Sequence, residues 1–129
     1  MKQLLKIGFL TTVTALSLMG LDNETYYKLD IQAMQMTLDG AKERLHCLED
    51  QCPLNEQYAI DDRVQQKIVT LYTEAGTTPS KHSGYYTQHS QTLKSYYDNN
   101  SALSETYLTL QDEIEAVNSQ LKTLMEQDQ

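Results

Sequence analysis

Apolar residues in this chain recur in alternating steps of four and three, and that period decides what it can become. From Tyr27 they fall at Ile31, Met34, Leu38, Ala41, Leu45 and Leu48 without a miss. Such spacing lays one apolar stripe along a helix and leaves the other faces polar. Asp22 or Asn23 can cap the start, Glu24 suits the first turn, and Pro53 closes the segment. Gly40 lies inside it, where glycine costs about 1 kcal/mol relative to alanine.

Steps of four and three return in three further segments. Ile60, Val64, Ile68, Leu71 and Ala75 make a second helix, with Gly76 where a left-handed C-terminal cap belongs. Thr78 and Pro79 then supply a cap and a first helical residue. His82, Tyr86, His89, Leu93 and Tyr96 form the stripe of a third helix. Leu103, Tyr107, Leu110, Ile114, Val117, Leu121 and Leu124 form the terminal seam, the cleanest in the chain. The heptad phase runs straight through Asn100, which would suit one continuous helix from Pro79. Asp98 to Ser101 read DNNS, however, and those residues favour a turn. No segment reads as a strand. The expected fold is all-α: a small antiparallel bundle of four amphipathic helices, or three if the helix from Pro79 continues through Asn100.

The N-terminal MKQLLKIGFLTTVTALSLMG has the outline of a secretory signal peptide. Lys2 and Lys6 precede an apolar stretch, and small residues follow at Ala15, Ser17 and Gly20. Residues 1–20 are therefore expected to be a bacterial-type export signal, or else a retained membrane anchor. Residues 21–129 are expected to form one domain in the periplasm or outside the cell. The formal charge is −8, and removing Lys2 and Lys6 makes it −10. That field repels phosphate backbones and anionic lipid surfaces, so nucleic acid is a poor partner and a basic protein a better one. Any membrane contact would run through an uncleaved N-terminal segment.

Cys47 and Cys52, the only cysteines, are expected to form a disulfide that pins the end of the first helix to the turn before Pro53. Zinc or redox work is the sharper reading of the pair. Zinc wants more thiolates, and the redox motif has two intervening residues where this chain has four. KHSGYYTQH places His82 and His89 seven residues apart, about 10.5 Å along a helix, too far to share one ion unaided. A metal or haem site would need His46 or Met36 beside them, and helix packing is the simpler reading. ERLH, Glu43 to His46, matches one half-unit of a di-metal bundle, which requires two. Met34, Met36 and Met125 read as packing rather than copper ligands. Asp61–Asp62 and Glu113–Glu115 do not face each other on a helix, so neither is a catalytic dyad. Two short glycosylation patterns, at Asn23 and Asn99, carry little information.

Tyrosine is the compositional outlier. There are nine, with no tryptophan, and the single phenylalanine is Phe9 in the leader. Three adjacent doublets stand at Tyr26–Tyr27, Tyr85–Tyr86 and Tyr96–Tyr97. Neighbours on a helix point about 100° apart, so one ring can enter the core while the other meets a partner. Tyr26, Tyr85 and Tyr97 are the expected partner contacts. No catalytic constellation or cofactor motif assembles. The sequence therefore reads as a non-enzymatic exported protein that binds another protein, with a small periplasmic metal or haem binder as the alternative. A homodimer through the terminal seam is compatible with the pattern.

Overall fold

The computed structural model describes residues 21–127, so the signal-segment assignment lies outside them. Within that range the chain forms an all-α bundle. Its helices are α1 (Asn23–Glu49), α2 (Leu54–Glu74), α3 (Pro79–Gln88), α4 (Ser90–Asp98) and α5 (Ser101–Gln127). No strand occurs among the described residues, and none of these helices is long and apolar enough to cross a membrane.

Local chemistry sets the boundaries. The Asp22 carboxylate accepts from the Thr25 N–H at 2.8 Å and caps α1. Thr78 caps α3 in the same way, accepting from Lys81, with Pro79 as first residue. At the end of α2, Gly76 takes φ 78°, and its N–H and that of Thr77 reach back to the Thr73 and Tyr72 carbonyls. This is the left-handed cap expected from the sequence. The end of α1 repeats it with a less suitable residue: Gln51 has φ 57°, and the N–H groups of Gln51 and Cys52 bond to Leu48 and Cys47. The Cys47–Cys52 disulfide links the two residues that such a cap usually joins by apolar contact.

The break at Asp98–Ser101 is present. The Asn100 side chain caps α5 by accepting from the Leu103 N–H at 3.1 Å. The third predicted helix is nevertheless two helices, because the chain kinks at His89 (φ −125°, ψ 27°). The Tyr85 carbonyl accepts the His89 backbone N–H at 2.9 Å, closing the last turn of α3, and the His89 ring nitrogen Nδ1 lies 3.1 Å from the same oxygen. The bend lets α4 drive Leu93, which is fully buried, beneath the first turns of α1.

The other four helices pack around α1. One of its faces, carrying Leu29, Ala33 and Met36, meets Ile68, Leu71 and Tyr72 of the antiparallel α2 and Ala75 at its C-cap. The predicted stripe Ile31, Met34, Leu38, Ala41, Leu45 and Leu48 faces the other way, onto Leu110, Ile114, Val117 and Leu121 of α5. Gly40 permits the close approach of α1 to α2, since a Cβ there would stand 2.3 Å from Val64 Cγ2. One feature departs from the antiparallel expectation. Tyr107, near the start of α5, bonds to Asp30 near the start of α1, and Leu121 packs in the cluster that holds Leu45 and Leu48. The two helices therefore run parallel, because α3 and α4 together cross the base of the bundle and reset the direction.

Candidate functional site

That crossing gathers eight of the nine tyrosines at one end of the molecule. Tyr26 and Tyr27 stand at the start of α1 with ring centroids 5.2 Å apart, edge to face. Tyr26 stacks on His82 at 4.1 Å, and His82 also touches Tyr72 at 4.9 Å. Tyr85 and Tyr86 approach Tyr26 from α3 at 5.8 and 6.2 Å. On the other side Tyr27 meets Tyr96, Tyr97 and Tyr107 at 5.7, 6.0 and 5.7 Å. Offset and edge-on pairs at these distances are favourable beyond their buried area, each by about 0.5–1.5 kcal/mol.

Hydroxyl groups buried in such a cluster need partners, and three of the eight tyrosines bond across the bundle. Tyr27 donates to the Leu93 carbonyl at 2.7 Å, and Tyr85 to the Asn23 side chain at 2.9 Å. Tyr107 donates to the Asp30 carboxylate. Burial, then the Asp30 charge and that hydrogen bond, push the Tyr107 phenol far above its ordinary range. Tyr72 is pushed up to about 12 by burial and then by Asp30. Tyr26 and Tyr27 rise mainly through burial as well.

The predicted site residues divide sharply on this geometry. Tyr26 is not an exposed contact: it is 8% exposed, sealed beneath His82 and its tyrosine neighbours. Tyr85 and Tyr97 are half-buried at the rim, and Tyr86 is the ring that faces water, 52% exposed. Tyr86, Tyr97, Ser90, Gln91 and Lys94 border a shallow groove of roughly 410 Å³ floored by Tyr27. Its volume admits a few side chains and no folded ligand. The sequence reading missed Tyr86 because it assigned that ring to the packed stripe. The kink at His89 is what turns the stripe aside.

The metal candidates are not assembled. His82 is buried, with Nε2 3.0 Å from the Tyr26 carbonyl, so that nitrogen donates to backbone. His89 is exposed at the kink and stacks on Tyr85 at 4.1 Å. His46 lies near the opposite end of α1, and the 20 residues from Tyr26 to His46 span about 30 Å. Met36 packs against α2. Cys47 and Cys52 are joined, with Cα atoms 5.1 Å apart. Among the described residues, the one cluster with metal-ligating spacing is Cys47, Cys52 and Glu56. The terminal seam is occupied within the chain, since Leu110, Val117 and Leu121 are buried against α1. Compared with known proteins, the chain matches no family model, and no curated protein or solved structure is significantly similar to it.

Proposed function

We propose that the chain is an exported, non-enzymatic helical protein that binds a basic protein partner in the periplasm or envelope, as an adaptor, chaperone or inhibitor. The observation that carries this reading is the tyrosine groove between α3 and α4. Tyr86 leaves more than half of a large stiff ring in water, beside the half-buried Tyr97 and above Tyr27. Tyrosine is enriched at protein interfaces because such a ring offers area at low entropic cost and a polar tip. A charge of −8 supplies the field that draws a basic surface towards it. The helices beneath hold the groove rigid, as Leu93 and Tyr27 are buried and hydrogen-bonded to each other.

Site-specific photocrosslinking in the native envelope tests it. A photoreactive phenylalanine analogue at position 86 or 97 should give an adduct with one basic protein, and the yield should fall as salt rises. The same analogue at His46, at the far end of α1, should give none. Equal adducts at all three positions, or none at 86 and 97, would end the proposal.

A further inference from the structure

At the end of the bundle remote from the tyrosines, the Cys47–Cys52 loop has a second capacity. We propose that in its dithiol form Cys47 and Cys52, with Glu56, bind one soft divalent cation such as zinc or cadmium. This inference is independent of the partner-binding reading, since it concerns the opposite end of α1.

The sulfur atoms of both cysteines and a carboxylate oxygen of Glu56 all lie within 4.8 Å of one another. Three elements bring them there. Cys47 sits in the last turn of α1, Cys52 in the cap that follows, and Glu56 in the first turn of α2. The connecting turn does not depend on the disulfide alone. The Cys52 N–H to Cys47 carbonyl bond (2.9 Å) and the Gln51 N–H to Leu48 carbonyl bond (3.0 Å) hold it. Pro53 fixes φ at −62° just before α2. Two thiolates on a tetrahedral zinc stand about 3.8 Å apart, given Zn–S bonds of about 2.3 Å. Side-chain rotation supplies that separation from Cα atoms 5.1 Å apart.

Charge and softness select the ion. Two thiolates favour zinc or cadmium over calcium or magnesium, and one carboxylate makes the third ligand, leaving the fourth position to water. Glu43, Asp50 and Arg63 border the same groove. Arg63 already bonds Glu43 at 2.8 Å, so its charge is partly spent there and Asp50 is left facing the site. The chemistry balances. An external dithiol gives two electrons and two protons to the Cys47–Cys52 bond, yielding two thiols and its own disulfide. On binding, each thiol releases its proton to solvent and forms a metal–sulfur bond, while the ion sheds water. A disulfide oxidant reverses the sequence: it takes two electrons from the bound thiolates and two protons from solvent to become a dithiol, the Cys47–Cys52 bond re-forms and the ion is released. The site thus opens and closes with the redox state of the pair.

The test is a cadmium titration of the full chain, kept reduced by a phosphine, with thiolate-to-cadmium absorption and a competing chromophoric chelator as readouts. One ion per chain should bind the reduced protein, and none the oxidised protein. Cys47→Ser or Cys52→Ser should weaken binding by roughly 100-fold or more. Glu56→Gln should weaken it by at least about tenfold, the range that even outer ligand-supporting groups reach. Glu56 is exposed, so its replacement leaves the fold intact, and circular dichroism checks this for each variant. Glu56→Gln binding as tightly as the parent would overturn the assignment. So would one ion shared by two chains, or equal uptake by the oxidised protein.

Discussion

Gly40→Ala offers the sharpest test of how α1 and α2 meet, because two effects of opposite sign act on one methyl group. In an exposed helix interior the change should stabilise by about 1 kcal/mol. Here the added Cβ falls 2.3 Å from Val64 Cγ2, with Val64 Cβ and Cγ1 at 3.5 and 3.6 Å. Relief to ordinary contact needs a shift of about 1 Å between the helices, since a helical valine has essentially one χ1 rotamer and cannot swing aside. Overpacking of this kind costs about 1–3 kcal/mol. The packing cost therefore exceeds the propensity gain, and the net loss should be about 1 kcal/mol, near 4 °C in Tm for a domain of this size. Urea unfolding followed by circular dichroism on Gly40→Ala, Val64→Ala and the double variant isolates the contact. With Val64 cut back to alanine, Gly40→Ala should become stabilising, giving a coupling of about 2 kcal/mol. A more stable Gly40→Ala with no coupling to position 64 would refute the register of α1 against α2.

His82→Ala should cost about 2–3 kcal/mol, through the lost stack on Tyr26 and the lost bond to its carbonyl, whereas the exposed His89→Ala should cost under about 0.5. Thermal melts of the two variants separate a packing histidine from a peripheral one. Gly76→Ala forces a side chain into φ 78° and should cost about 1 kcal/mol, while Gln51→Gly relieves φ 57° and should gain a similar amount. Both are read from denaturant midpoints of the oxidised protein. Stability should also fall as pH rises above about 10. The folded protein keeps Tyr26, Tyr72 and Tyr107 protonated by burial, while the unfolded chain lets them ionise. Their contribution is full below the unfolded value of about 10 and is lost as pH climbs through the raised folded values, for Tyr72 about 12. Each adds up to about 1.4 kcal/mol per pH unit. Urea midpoints across alkaline pH should therefore decline less steeply for Tyr107→Phe than for the parent.

Much of this fold is written in short-range pattern, and its failures have a common cause. The steps of four and three marked α1, α2 and α5 because each buries one continuous stripe, and the caps at Asp22, Gly76 and Thr78 depend only on neighbours in sequence. Gly40 read as a defect for the opposite reason: its value lies in Val64, twenty-four positions away. The chain bends at His89 within a stripe that looked intact, because a backbone turn there (φ −125°, ψ 27°) leaves no mark on hydrophobic period.

The tyrosine base shows why the site itself was harder to see than the helices that build it. Nothing in the doublets at 26–27, 85–86 and 96–97 says that they converge, and a strictly antiparallel bundle would have scattered them along its length. Convergence requires the chain to cross one end of α1 twice, in α3 and α4, before α5 sets off parallel to α1. That route in turn requires the kink at His89 and the Asn100 cap. Phenylalanine would fill the same volume, yet Tyr27, Tyr85 and Tyr107 each spend the hydroxyl on a tertiary bond: to Leu93, Asn23 and Asp30. Three of the tyrosines are thus fasteners that hold α3, α4 and α5 to the start of α1. Tyr86 is 52% exposed, which makes it, of the eight clustered tyrosines, the one whose removal should cost the fold least and the groove most.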